Sequence, residues 1–87
     1  MEETVEIGDK TIKVDAEIDC FGLLCPMPIV KTAAKVKELQ VGQVLKVAST
    51  DLGIKEDMPV WCAETGNEFL GVKEADGEYF VYLRRLV

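Results

Sequence analysis

Between residues 13 and 19 apolar and charged side chains alternate. Val14, Ala16 and Ile18 fall on one face, and Asp15, Glu17 and Asp19 on the other. A period of two with a single apolar face predicts a strand buried on one side and wet on the other. A weaker alternation over residues 4–7, joined through Gly8-Asp9-Lys10 to Thr11 onward, predicts an N-terminal β-hairpin. From Pro26 to Gln40 the period becomes helical: Ile29, Val30, Ala33, Val36 or Lys37, and Gln40 fall at helical spacing, with Lys31, Lys35 and Glu38 on another face. Pro26 suits a first helical position, where a missing N–H costs nothing, and Gly42 supplies a stop. The β-branched run over residues 43–50 predicts a second strand.

Ile54, Met58, Trp61, Cys62 and Thr65 return to helical spacing, closed by Gly66-Asn67. Pro59 either marks the true first turn of this helix, with Asp57 as its cap, or kinks it. Residues 68–73 and 78–86 read as strands around an Asp76-Gly77 turn, a strong hairpin signal. The expected class is α+β: a two-layer α/β sandwich in the order βαβαββ, with two helices on one face of a four-stranded mixed sheet. An extra N-terminal strand or hairpin falls in residues 1–12. The short strand–helix–strand links call for a right-handed parallel crossover. The other sheet face is expected to be open, carrying the acids of the first strand with Lys46, Lys73, Tyr82 and Arg84. Such a face is either an ordinary wet surface or a contact for RNA or a partner.

At 87 residues the chain is one domain, and no linker or repeat divides it. Sixteen acids against ten bases argue against direct nucleic-acid binding, which needs a dominant positive field. The charge is segregated: residues 1–20 hold seven acids and two lysines, and residues 26–40 three lysines and one acid. No stretch reaches the length of a membrane span, and the acidic start lacks a signal-peptide core, so a cytoplasmic location is expected. In that compartment three cysteines are free, catalytic or metal-binding sooner than a disulfide framework. Neither a histidine nor a Cys-x-x-Cys pair is present, so no metal and no cofactor is expected.

The chemistry centres on Gly22-Leu-Leu-Cys25-Pro26-Met27-Pro28. With Pro26 first in the helix, Cys25 occupies the cap, where free N–H groups and the helix dipole favour a thiolate. Pro28 has no N–H, which makes the Met27 amide the expected donor to the sulfur, with Ile29 next. Gly22 lets the preceding turn take a positive φ. The absence of histidine excludes Cys-His acyl transfer and removes the usual general base. Exchange at a sulfur–sulfur bond needs only the thiolate. Set against this, free cysteines are commonly inert small hydrophobes.

The run DCFGLLCPMPIVKTAAKV resembles the signature of the TusA/SirA family of sulfur carriers, whose hallmark is Cys-Pro-x-Pro after an Asp-x-x-Gly turn. The resemblance continues through VGQVLKVASTD, Asp57-Met58-Pro59 with Trp61-Cys62, and the final hairpin, covering roughly residues 13–86. It implies the same βαβαββ fold, and a persulfide carried on Cys25. It also implies a cysteine desulfurase or other persulfide donor, and an acceptor protein in a sulfur relay. In well-known members that relay serves tRNA thiolation; others serve sulfur oxidation, selenium or molybdenum-cofactor metabolism. Two features depart from the pattern: Cys20 within the Asp-x-x-Gly turn, and Asp51-Leu52-Gly53 where an acidic pair is common.

Around Cys25 the expected binding surface is Gly22, Pro26, Met27, Pro28, Lys31 and Lys35. Lys31 and Lys35 either form a solvated face or guide an acidic partner. Asp19 either orients Cys25 or simply forms the turn, and Cys20 is either a resolving thiol or a small buried strand-end residue. Cys62 is expected in the core. Two other functions remain open: a regulatory, RNA- or protein-binding module, and a thiol redox protein using Cys20 and Cys25.

Overall fold

The computed structural model describes residues 3–24 and 26–87. Strands β1 (Glu3–Ile7) and β2 (Lys10–Val14) pair antiparallel as a separate two-stranded sheet. The main sheet comprises β3 (Ala16–Cys20), β4 (Val44–Ser49), β5 (Glu68–Ala75) and β6 (Glu78–Arg84), in the spatial order β3-β4-β6-β5. β3 runs parallel to β4, and the other neighbours are antiparallel. Helices α1 (Met27–Val36) and α2 (Ile54–Thr65) provide the crossovers and pack on one face. The βαβαββ order and the mixed sheet agree with the expectation from the sequence.

Alternation along β6 explains how one strand serves two cores. Val81 and Leu83 are fully buried on the helix side with Leu45, Val47, Met58 and Cys62. Phe80 and Tyr82 point the other way, into a second cluster with Val44, Leu70, Val5, Ile7, Ile12 and Val14. The second sheet face is therefore not open: the N-terminal hairpin lies on it. Tyr82 is buried there, and Arg84 is engaged by Glu68 at 2.9 Å. Lys46 pairs with Glu3 of β1 at 2.9 Å and sits 5.0 Å from the centroid of the Phe80 ring. An apolar sheet face must be covered, and the inner side of β1–β2, with its own period-two pattern, covers it.

The alternating stretch over residues 13–19 is accordingly split. Val14 belongs to the cluster under the hairpin, whereas Ala16 and Ile18 pack on the helix side. Asp15 forms the break: its amide donates to the Val44 carbonyl at 2.9 Å, and its carboxylate accepts from the Val44 amide at 2.8 Å. These two bonds turn the chain from one sheet into the other.

Both helices differ in detail from the sequence pattern. Helix α1 buries Pro28, Thr32 and Val36, one residue round from the expected stripe, and leaves Val30 exposed. It ends at Val36 rather than running on to Gly42. The Arg85 guanidinium reaches across and donates to the carbonyls of Val36, Lys37 and Leu39, serving the C-terminal carbonyls that a longer helix would have bonded internally. Gly42, at φ +95, instead turns the chain into β4.

In α2 the i, i+4, i+8 residues Ile54, Met58 and Cys62 face the core as expected. Pro59 lies inside the helix, and Asp57 falls within the first turn rather than at the cap. Asp51 organises that end: its side chain accepts from the Gly53 amide at 3.0 Å and its carbonyl from the Ile54 amide at 3.2 Å. Acidic Glu56 and Asp57 in the first turn suit the positive end of the helix. Gly66, at φ +81, closes α2 on the Cys62 carbonyl. Asp76 and Gly77 both take positive φ in the β5–β6 hairpin, as the Asp-Gly pair signalled.

The hairpin sits close enough to the sheet to require a glycine. A Cβ placed on Gly71 would stand 3.0 Å from Ile7 Cγ2. Gly71→Ala is expected to destabilise the protein by about 1–2 kcal/mol in urea unfolding, in line with the cost of overpacking. In an Ile7→Ala background, which removes the obstructing atom, the same substitution is expected to cost less, with the strain of a side chain at φ +158 remaining.

Candidate functional site

The candidate site forms where β3 and β4 end together. Their parallel register pairs Ala16 with Leu45, Ile18 with Val47 and Cys20 with Ser49. The loop leading to α1 and the loop leading to α2 thus leave the same sheet edge side by side, the edge at which open parallel sheets carry their sites.

The first loop is built from short-range bonds. Asp19 Oδ1 accepts from the Phe21 amide at 2.8 Å, and the Cys20 carbonyl accepts from the Leu23 amide at 3.1 Å. Asp19 is thus a turn-forming residue of this loop. Gly22 adopts φ +78, as its place in the motif required. Leu24 is 75% exposed and Met27 45%, so apolar side chains stand in solvent around the motif.

Cys25 itself, with its expected role as helix cap, lies outside the described residues. Its neighbours revise the expectation for the start of the helix. Pro26, at φ −97 and ψ 13, holds the capping position, and Met27 is the first residue of the helix. The Met27 amide donates to the Leu24 carbonyl at 2.9 Å, closing a tight turn over residues 24–27, and its expected bond to the sulfur lies outside the described residues. The Pro26 carbonyl accepts the first helical bond, from the Val30 amide at 3.0 Å. Pro28 is buried, anchoring the first turn of α1 against the core.

Beside the motif an open groove of about 300 Å³ runs between the helices, lined by Pro26, Ile29, Asp57, Val60, Trp61 and Glu64. Trp61 also lines a second hollow of about 260 Å³ further along, with Val36 and Arg85. Neither was visible in the sequence, since each needs the α1–α2 packing. Lys31 is exposed and its charge acts on Cys20. Lys35 is half-buried beside Glu38, 3.9 Å away.

The two described cysteines have unreactive surroundings. Both are free thiols with essentially no exposure. Burial pushes the Cys20 thiol up, Lys31 pulls it partly back, and Asp19 adds to the rise. Burial alone pushes Cys62 up to about 11. Desolvation penalises a thiolate, so both residues behave as small core hydrophobes near neutral pH. Among the described residues no helix is long and apolar enough to cross a membrane.

Sequence reasoning passed over Thr50 and Phe80. The Thr50 hydroxyl accepts from the Gly22 amide at 3.1 Å, and the Phe80 ring meets Phe21 edge-on at a centroid distance of 6.3 Å. The signal for Thr50 was its place at the end of the strand expected over residues 43–50. Only the register shows that this end lies beside Cys20.

Fold and site together define a small α+β domain whose first main-sheet strand leads through the residue 22–28 motif into its first helix. The same fold occurs in a SirA-like protein from Desulfitobacterium hafniense, with a TM-score of 0.74 at 21% identity, covering 84% of this chain and 100% of that one. The sequence-family model described as Sulfurtransferase TusA matches residues 16–85. Over 85 residues the chain is 34% identical to the sulfur carrier protein TusA of Pseudomonas syringae pv. syringae, covering 98% of this chain and 96% of that protein. It is 43% identical over 74 residues to YrkF of Bacillus subtilis, covering 85% of this chain and 40% of that protein. A protein of Aquifex aeolicus is 38% identical over 76 residues, covering 87% of this chain and 39% of its own length. The chain thus spans about two-fifths of these last two relatives. The chain belongs to the TusA family.

The buried thiols make a pH-dependent contribution with a definite sign. Cys62 holds its proton more tightly folded than unfolded, so its contribution is complete below pH 9.0 and is lost as pH rises to about 11. Folding stability measured by denaturant titration is expected to fall by about 2–3 kcal/mol across that window on account of Cys62. Cys62→Ala removes that part of the slope. In native protein at pH 8, peptide mapping after iodoacetamide treatment is expected to find Cys20 and Cys62 unmodified, and both modified in urea.

Proposed function

We propose that the protein is a sulfur carrier in which Cys25 takes up a persulfide sulfur and passes it to an acceptor protein. The observation that carries this is the family match over residues 16–85, which contains the Cys25-Pro26-Met27-Pro28 motif. Burial of the other two thiols supports the assignment of the chemistry to Cys25.

The Cys25 thiolate attacks the outer sulfur of the donor's persulfide. The donor's S–S bond breaks, its own thiolate leaves, and Cys25 carries S–SH. In the second step an acceptor thiolate attacks that outer sulfur, and the Cys25 thiolate is the leaving group. Both steps are thiolate exchanges at sulfur, so no histidine base and no outside oxidant is required. A helix start favours a thiolate over the neutral thiol, and Lys31 of the same helix adds positive charge. The donor is a cysteine desulfurase or another persulfide protein. The acceptor is a sulfur-relay protein serving tRNA thiolation or another sulfur-trafficking route. The exposed side chains of Leu24 and Met27, with Gly22, Pro26 and Lys31, provide docking surface around the thiol, which suits transfer between proteins better than capture of a small substrate.

Mass spectrometry after incubation with a cysteine desulfurase and cysteine tests this. The Cys25 peptide is expected to gain one sulfur atom, and Cys25→Ser to gain none there or elsewhere. Absence of the added sulfur on the wild type, or equal loading of Cys25→Ser, overturns the proposal. Cys20→Ala is expected to load and discharge normally. If discharge instead required Cys20, with a Cys20–Cys25 disulfide as its product, a thiol redox function would replace the carrier.

A further inference from the structure

Three of the hydrogen bonds within residues 19–27 are local: Phe21 to Asp19, Leu23 to Cys20 and Met27 to Leu24. Local bonds give a loop its shape but leave its placement on the body of the protein undetermined. Among the described residues 21–24, the side-chain hydrogen bond that reaches the neighbouring loop runs from the Gly22 amide to Thr50 Oγ1, at 3.1 Å. Its partners are 28 residues apart in sequence.

They meet for a definite reason. The parallel register sets Cys20 beside Ser49, so the next residues of the two chains leave the sheet together. The positive φ of Gly22 turns the chain at that point. Thr50 is β-branched, which restricts χ1 and holds the hydroxyl in one direction. Immediately after it, Asp51 is fixed by Ser49 Oγ, which accepts the Asp51 amide at 3.0 Å, and by its own bonds at the start of α2. The hydroxyl therefore belongs to a well-anchored turn. The Phe21–Phe80 ring contact is a second hold from outside the loop, but it is apolar and less directional.

We propose that Thr50 is a positioning residue for Cys25, acting through Gly22. This rests on the reading of Cys25 as the reactive thiol. Gly22 begins the segment that ends in Cys25, and the influence of a helix start on a thiol falls off within the first turn. A loop free to drift at Gly22 holds the thiol less closely in that field and raises its pKa. Thr50 touches neither sulfur donor nor acceptor in this role. It sets where the thiol stands.

The test is the pH profile of Cys25 alkylation by iodoacetamide in folded protein, with the buried Cys20 and Cys62 as internal controls. Thr50→Val removes the acceptor while keeping the shape, Thr50→Ala repeats the removal without added bulk, and Thr50→Ser restores the hydroxyl. Thr50 is exposed, and a thermal melt confirms that each variant is folded. Thr50→Val and Thr50→Ala are expected to move the alkylation midpoint to higher pH, lowering the rate at pH 7 about threefold or more. They are also expected to speed hydrogen exchange of the Gly22 amide, with Thr50→Ser close to wild type in both measurements. Profiles of Thr50→Val and Thr50→Ala that superimpose on wild type with unchanged Gly22 exchange overturn the proposal, as does Thr50→Ser shifting as far as Thr50→Val. The measurement needs no sulfur donor, so a failure of the carrier reading and a failure of this one are separately visible.

Discussion

Parallel pairing of β3 with β4 is the constraint on which the rest of this molecule depends. Parallel neighbours cannot be joined by a tight turn, so a crossover is obligatory, and α1 provides it. The same pairing makes both strands end at one edge, with Cys20 opposite Ser49. The two loops that leave there become neighbours although nearly thirty residues separate Gly22 from Thr50. The motif stands on that edge, at the start of a helix whose first turn is pinned by a buried proline. Had β3 and β4 met in another register, the same residues would have formed two unrelated loops.

A second constraint is that a central sheet has two apolar faces and both must be covered. Helices α1 and α2 cover one through Val36, Ile54, Met58 and Cys62. The N-terminal hairpin covers the other through Val5, Ile7, Ile12 and Val14. β6 contributes to both because its side chains alternate. The hairpin replaces what would otherwise be an aromatic and basic open face: Tyr82 is buried, and Lys46 is drawn between Glu3 and the Phe80 ring. The family match begins at residue 16, so this cover lies outside the matched segment.

The two described cysteines show how environment sets the chemistry of a residue. Cys20 and Cys62 lie in the helix-side core, where desolvation keeps their thiols protonated. Cys25 falls in the loop between β3 and α1, flanked by exposed Leu24 and Pro26. With no histidine anywhere in the chain, chemistry that needs only a thiolate is the chemistry the composition permits.

The order of elements, the Asp76-Gly77 hairpin, the core face of α2 and the cysteine motif were legible in the sequence. Each is a local matter of side-chain period or of a residue suited to a particular φ. The failures were all non-local. Helix α1 ends early, and Arg85, from the far end of the chain, bonds the carbonyls of Val36, Lys37 and Leu39 where it stops. Val14 faces away from Ala16 and Ile18 because Asp15 bonds Val44 and turns the strand. The supposed open face is closed because an adjoining hairpin has a matching apolar side. By itself the sequence determined which residues carry chemistry and which elements they sit on, since these follow from local preference. Which elements touch, and hence that Thr50 reaches Gly22, was decided only by the tertiary structure, because strand register and packing join residues that no local pattern relates.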